Sequence, residues 1–161
     1  MRNEDFLNLA YPPQWVAKIL HLCISGALQQ KNSRGLKTEL VYCIIPLIAD
    51  DEVRKNLNRA ISTSTFFSIF ETKMKDHQEF LINFSKKYES FFDITNEGLI
   101  FLGHIEKIEF GEYLFTQRLR KPKKTKKTND LEFERASFYL GNLLAKEEPR
   151  NVYLKLGMVP K

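Results

Sequence analysis

The chain has 161 residues and a mass of 18.9 kDa, which fits one domain with a sizeable core. The composition is 43% hydrophobic and 28% charged, and its 13 phenylalanines exclude a disordered chain. The net charge of +5 and the pI of about 9.1 suggest an acidic partner.

Cysteine content and apolar run length exclude two further classes. Cys23 and Cys43 lie in apolar runs and form no disulfide framework or C-x-x-C zinc site, so we expect buried free thiols. Residues 1–11 are polar and do not resemble a secretory signal. The apolar run 40–49 is about half as long as a membrane-spanning helix. We therefore expect a cytoplasmic protein without membrane contact.

The N-terminal segments predict helices. Pro12 and Pro13 suit the first turn of a helix that continues to Leu28. Residues 36–48 are ambiguous: Thr38 is a possible cap of a helix that Pro46 bends or ends, whereas the β-branched residues suit a buried strand. We favour the helix.

The central segments predict four more helices. The acids at 50–52 open a short helix through Leu57. The polar residues 62–65 can cap a helix that begins at Phe66, and residues 77–92 have the clearest helical periodicity. We expect residues 93–95 to break that helix, with Thr95 as the cap of the next one.

The C-terminal third predicts a hairpin and two helices. Residues 107–110 and 113–115, joined by Gly111 and Glu112, have the pattern of a β-hairpin. Residues 131–146 form an amphipathic helix in which Gly141 allows close packing. A last helical turn ends at Gly157, a natural C-cap.

These elements predict a mainly α protein with one small β-hairpin, that is, an α+β, winged-helix-like single domain over residues 1–161. We place a helical, winged-helix-like body at 10–116, a basic loop at 117–130 and C-terminal helices at 131–161.

In a winged helix, the helix before the hairpin often enters the DNA major groove. Here it contains residues 98–103, which offer almost no groups to read bases. We expect this helix to be buried in the domain or against a partner, which favours an assembly subunit.

The positive charge is concentrated in residues 118–127, the basic segment. Its seven basic residues are Arg118, Arg120, Lys121, Lys123, Lys124, Lys126 and Lys127. Without them, 18 positive charges face 20 negative ones, a net charge of −2. Since each neutralised phosphate releases counterions, we expect the segment to contact the backbone of double-stranded DNA. A solvated loop and docking on an acidic protein surface are the alternatives.

No catalytic, cofactor or metal site is predicted. His21, His77 and His104 lie far apart in the sequence and in no ligand spacing, and the chain has no phosphate-binding glycine motif. We expect His21 in the core or at its boundary and the other two at the surface.

One set of residues resembles the active site of a metal-dependent nuclease. Asp50 or Asp51, followed by Glu71 and Lys73, provides the residue types of a Mg²⁺-dependent D…E-x-K site. That chemistry needs Glu71 and Lys73 on one side of a strand, whereas the segment has helical periodicity. We therefore do not predict an enzyme.

Several segments resemble the middle component of three-component ABC systems. Residues 35–48 are similar to its G-L-x-L-x-x-x-x-x-L-P-L-V region, and residues 95–102 to its T-x-E-A-L-L-F-x-L helix. Residues 136–145 and 156–160 resemble its A-x-x-x-L-G-x-W-F-A and L-G-V-R-P endings.

Individual positions extend the resemblance and limit it. Arg54 and Ser62-Thr63 fall where the family has an arginine and a Ser-Thr pair. Tyr11-Pro12-Pro13 replaces the usual N-P-A-F, and Leu143-Leu144 replaces the Trp-Phe pair.

The resemblance implies a small non-catalytic subunit of bacterial anti-phage or anti-plasmid defence, as in Lamassu-type operons. It implies two partners that the subunit bridges: an SMC-like ABC ATPase that senses DNA, and an effector that is often a nuclease. It transfers no catalytic residue. The alternative function is a stand-alone winged-helix DNA-binding regulator.

Overall fold

The computed structural model describes residues 7, 9–60, 64–72, 77–123 and 129–158. The helices in this part of the chain are α1 (Pro13–Leu28), α2 (Val41–Ile48), α3 (Asp51–Asn58), α4 (Phe66–Thr72), α5 (His77–Ser90), α6 (Phe92–Ile105), α7 (Asn129–Leu144) and α8 (Pro149–Lys155). The strands are β1 (Leu36–Lys37), β2 (Ile108–Phe110) and β3 (Tyr113–Thr116). The prediction of a mainly α, α+β fold is confirmed.

Helix α1 is the centre of the fold and packs against α6 and α7. Its residues from Val16 to Ala27, except Lys18, are buried. A Cβ on Gly141 of α7 would lie 1.9 Å from the Cys23 carbonyl oxygen, and one on Gly26 would lie 2.0 Å from that of Phe138. The two helices therefore meet backbone to backbone, as predicted for Gly141, and only glycine fits at either position.

Within the described residues, the sheet has three antiparallel strands in the order β1-β3-β2. The predicted hairpin of β2 and β3 is confirmed, whereas β1, where Leu36 pairs with Leu114, was not predicted. The turn of the hairpin is tied to the chain after β1, because Thr38 donates from its hydroxyl to the Gly111 carbonyl at 2.5 Å and from its N–H to the Glu112 carbonyl at 3.0 Å.

The helix favoured over a buried strand for residues 36–48 is confirmed, since α2 contains the β-branched residues that also suited a strand. The strand β1 comes first, a 3-10 turn covers Thr38–Leu40, and α2 follows. The Thr38 hydroxyl donates a hydrogen bond to the hairpin and does not cap the helix, so the predicted cap is wrong. Pro46 lies inside α2 and does not end it.

Two of the expected helix starts are confirmed. Asp50 caps α3 by accepting a hydrogen bond from the Val53 N–H at 3.0 Å. Thr65 caps α4: its hydroxyl accepts from the Ser68 N–H at 3.1 Å, while the Ser68 hydroxyl accepts from the Thr65 N–H at 3.0 Å.

The corner between α5 and α6 lies earlier than predicted. Helix α6 begins at Phe92, so Thr95 is inside it and does not cap it. The Thr95 hydroxyl is buried and donates to the Phe91 carbonyl at 2.9 Å. Phe91 sets the corner because its ring is buried edge-on against Tyr11, with centroids 5.1 Å apart.

Arg54 holds three elements together from a buried position on α3. Its guanidinium donates to the Ile48 carbonyl at the end of α2 at 2.9 Å and pairs with Asp51. It also lies 4.1 Å from the centroid of the Phe133 ring on α7. The arginine on which the family resemblance partly rested is therefore a packing residue.

Candidate interaction surfaces

The described part of the basic segment crosses α1 after leaving β3. The His21 Nε2 donates to the Arg118 carbonyl at 2.7 Å, and the Thr116 hydroxyl donates to the same oxygen at 3.3 Å. The Ser25 hydroxyl accepts from the Arg120 N–H at 2.9 Å. His21 and Ser25 are buried, so this path is fixed from inside the fold.

Glu134 of α7 fixes the far end of this path. Its carboxylate accepts from the Lys123 N–H at 3.3 Å and pairs with Lys18 at 2.5 Å. Burial raises the pKa of Glu134, but the bonds from Lys18 and Lys123 and the positive charges of Lys18 and Arg120 outweigh it, so the net pKa is lowered. Glu134 is therefore a carboxylate at neutral pH and holds the segment beside α7.

The basic side chains themselves remain accessible. Arg118, Lys121 and Lys123 are exposed and Arg120 is half-buried. The Arg118 side chain is 84% exposed and lies 3.8 Å from the Glu106 carboxylate. Lys124, Lys126 and Lys127 lie outside the described residues. A fixed backbone with outward cations is an arrangement suited to phosphate contact.

A second surface lies on α6 and the adjoining strand. We call it the α6 face; its residues are Asp93, Glu97, Ile100, Phe101, His104, Ile105 and Phe110. The six helical positions follow the 3.6-residue period and so form one exposed stripe. Ile100, Ile105 and Phe110 are 63%, 54% and 57% exposed, respectively.

The α6 face has a shallow dent at its centre. It is lined by Leu99, Ile100, Gly103, His104 and Phe110. Gly103 opens the dent, since a Cβ there would meet only the Phe110 ring, at 4.0 Å. Large apolar side chains around a dent are typical of a protein contact.

The other sequence-predicted positions do not come together as a site. His21 is buried and His104 exposed, as expected, whereas the side chain of His77 lies outside the described part. Asp50 caps α3 and pairs with Lys87 at 3.3 Å. Glu71 is on helix α4, and Lys73 is outside the described residues.

The described residues contain two free thiols, no metal-binding cluster and no membrane-spanning helix. No three His, Cys, Asp or Glu residues there could together hold a metal ion. Cys23 and Cys43 are buried free thiols, as expected, and burial raises the pKa of both. None of the helices in this part is both long enough and apolar enough to cross a membrane.

Sequence reasoning missed the residues that position these surfaces. Ser25 and Glu134 carry no motif, and their partners lie far away in the chain. The one available signal was their polarity at positions where the helical period demands burial. The sequence places Phe110 in the hairpin. Its position beside Gly103 depends on how the hairpin packs against α6, which the sequence pattern does not show.

Comparison with known proteins gives one match. The family model described as "ABC-three component (ABC-3C) system Middle Component 3" matches residues 2–160, nearly the whole chain. No curated protein and no solved structure matches the chain.

Proposed function

We propose a bridging function for this chain because it belongs to the ABC-three component (ABC-3C) system Middle Component 3 family. A middle component works together with the other components of its system. In our proposal the chain is non-catalytic and links an SMC-like ABC ATPase to an effector, often a nuclease, in a cytoplasmic anti-phage or anti-plasmid complex of the Lamassu type.

The α6 face is the observation that carries this proposal. Ile100 and Phe110 expose large apolar groups around the dent, Ile105 is exposed on the same helix, and a soluble monomer gains nothing from that arrangement. Covering them removes apolar surface from water, which is the main favourable term in protein association. A subunit that works inside an assembly needs such a surface.

The basic segment supports a second contact within the same complex. In our proposal Arg118, Arg120, Lys121 and Lys123, with Lys124, Lys126 and Lys127, neutralise phosphates of double-stranded DNA beside the ATPase. Fixing of the backbone by Ser25 and Glu134 lowers the entropy that such contacts cost. Contacts of this kind position the complex and carry no sequence preference.

Co-expression tests the bridging proposal. The chain is produced together with the ATPase and the effector encoded beside it, and the complex is analysed by size exclusion. We expect the three proteins to elute together, and the ATPase and effector to separate when this chain is omitted. Clean separation of this chain from both proteins would contradict the proposal.

The strand order favours one alternative function. A sheet ordered β1-β3-β2, with β1 after the first helix and β2 after α6, supports the winged-helix interpretation and with it a stand-alone DNA-binding regulator. This alternative requires sequence-selective DNA binding by the pure chain, with a steep salt dependence that charge-neutralised Lys121 and Lys123 variants flatten. Absence of binding at about 50 mM salt excludes it.

A further inference from the structure

We propose that the α6 face docks an amphipathic helix of another component of the same system, with an apolar side flanked by lysines or arginines. This inference rests on the proposed bridging function and adds the chemistry of the partner. Three features of the surface carry it: its apolar centre, its charge and its length.

The apolar centre is shaped to take a side chain from outside. Ile100 and Phe110 form the walls of the dent. Gly103 lies at its floor, where the absence of a side chain leaves the space open. An aliphatic or aromatic residue of a partner helix fills such a dent, and its neighbours one turn away cover Phe101 and Ile105. Both are exposed in the isolated chain.

The charge around this centre is acidic. Residues 92–112 carry five carboxylates, namely those of Asp93, Glu97, Glu106, Glu109 and Glu112. Lys107 is the one lysine in that range, and Arg118 lies 3.8 Å from the Glu106 carboxylate, so five acids minus these two cations leave a net charge of −3. A partner with basic flanks is attracted and oriented by this potential, whereas an acidic partner is repelled.

The same charge disfavours two other occupants. DNA would bring phosphates against Asp93 and Glu97, which lie on the stripe itself and are exposed. A second copy related by two-fold symmetry would bring two surfaces of the same net negative charge together. Neither contact is electrostatically complementary.

The dimensions favour a helix over an added strand. Strand β2 is an edge strand, but it has three residues, Ile108–Phe110, and gives an added strand only about 10 Å of pairing. The stripe from Asp93 to Ile105 is about 18 Å long, at about 1.5 Å rise per residue, and matches a partner helix of three to four turns.

A synthetic peptide pair tests the chemistry of the partner. One peptide is an amphipathic helix with a leucine face flanked by lysines, and the other has glutamates in place of the lysines. We expect the lysine peptide to bind the full chain at least about tenfold more tightly by fluorescence anisotropy. Equal binding of both peptides, or preference for the glutamate peptide, overturns the proposal.

Matched isoleucine variants locate the binding. Ile100→Ser removes an exposed apolar group of the α6 face, and Ile82→Ser removes one that is 75% exposed on α5. We expect the first to weaken binding of the lysine peptide at least about tenfold and the second to leave it unchanged. Equal effects overturn the proposal.

Gly103→Leu separates docking from folding. The leucine fills the dent from a position where its Cβ meets only the Phe110 ring, at 4.0 Å, and it improves helix propensity. We expect a variant that is at least as stable as the wild type but binds the lysine peptide more weakly. Unchanged peptide affinity, with stability retained, overturns the role of the dent.

The co-expressed complex distinguishes this inference from the bridging function. If Ile100→Ser releases this chain from the complex and Ile82→Ser does not, the docking face is supported. If both variants remain fully assembled, the docking face is wrong and bridging stands. If the wild type itself fails to assemble, bridging is wrong.

Sedimentation equilibrium of the pure chain tests for a second copy as the occupant. If the pure chain forms a dimer and Ile100→Ser dissociates it, the partner-helix proposal is overturned in favour of a second copy.

Discussion

The Ser25 hydroxyl accepts a hydrogen bond from the Arg120 N–H at 2.9 Å, although the two residues lie 95 positions apart. The same hydroxyl donates to the His21 carbonyl at 2.7 Å. Together with His21, this buried side chain of α1 thus fixes where the basic segment crosses the helix.

Ser25→Ala should loosen the basic segment. The change leaves the Arg120 N–H without its partner, which costs about 1–3 kcal/mol where the group is shielded from water. We expect faster amide hydrogen exchange at Arg120 and a lower free energy of unfolding. Ser90→Ala is the control, because the exposed Ser90 makes the same local bond to the Lys86 carbonyl. Equal changes in the two variants would contradict the anchoring role.

Gly141→Ala should destabilise the fold. Its new Cβ would lie 1.9 Å from the Cys23 carbonyl, so α7 must move away from α1. We expect a loss of about 1–3 kcal/mol in the free energy of unfolding, measured with urea. Gly103→Ala is the matched control, because it adds the same methyl group on an open helix surface and should gain up to about 1 kcal/mol. Stability gains in both variants would refute the close helix contact.

Glu134 should make the fold sensitive to acid. Its folded pKa is lowered from 4.5, so the carboxylate contributes stability above pH 4.5 that is lost as the pH falls through the lower, folded pKa. Glu134→Gln should therefore be less stable than the wild type at pH 7, and the difference should shrink below about pH 4.5. Urea unfolding between pH 3 and 7 measures this.

The ion pair can be isolated from the other contacts of Glu134. Lys18→Met combined with Glu134→Gln completes a double-mutant cycle, and we expect a coupling free energy at pH 7 that decreases as the pH falls through the lowered pKa of Glu134. A coupling that does not change with pH would show that the carboxylate charge is not involved.

The cysteines should be unreactive in the folded protein. Burial raises the pKa of Cys43 to about 12 and also raises the pKa of Cys23, so both remain thiols at neutral pH. We expect no reaction with a thiol reagent at pH 8 in native buffer, and reaction of two groups per chain in denaturant. An exposed Ser90→Cys variant provides the positive control. Rapid native labelling of Cys43 would disprove its burial.

Local sequence patterns predicted most of the helices and the hairpin, because each leaves a period in the sequence. Strand β1 left none: it has two residues, and its partners Leu114 and Tyr113 come much later in the chain. The α5–α6 corner was misplaced because Thr95 can either cap a helix or bond back to its own turn. The burial of Phe91 decided between the two, and that is a tertiary effect.

The two surfaces differed in how far they could be foreseen. The basic segment could be located from the sequence alone, since seven basic residues lie within residues 118–127. The apolar content of residues 98–103 predicted burial, but it does not say what covers Ile100 and Phe101. Residues such as Glu134, which holds the basic segment from helix α7, could be identified only from the folded structure.

The double tie from Thr38 to Gly111 and Glu112 has a consequence for binding kinetics. A hairpin held at its tip cannot swing away, so Phe110 is presented in one orientation before any encounter. Little hairpin entropy then remains to be lost on docking, and association does not wait for a rearrangement. Thr38→Val removes the hydroxyl bond and keeps the N–H bond, and we expect this loosening to slow capture of a partner even though no residue of the contact surface has changed.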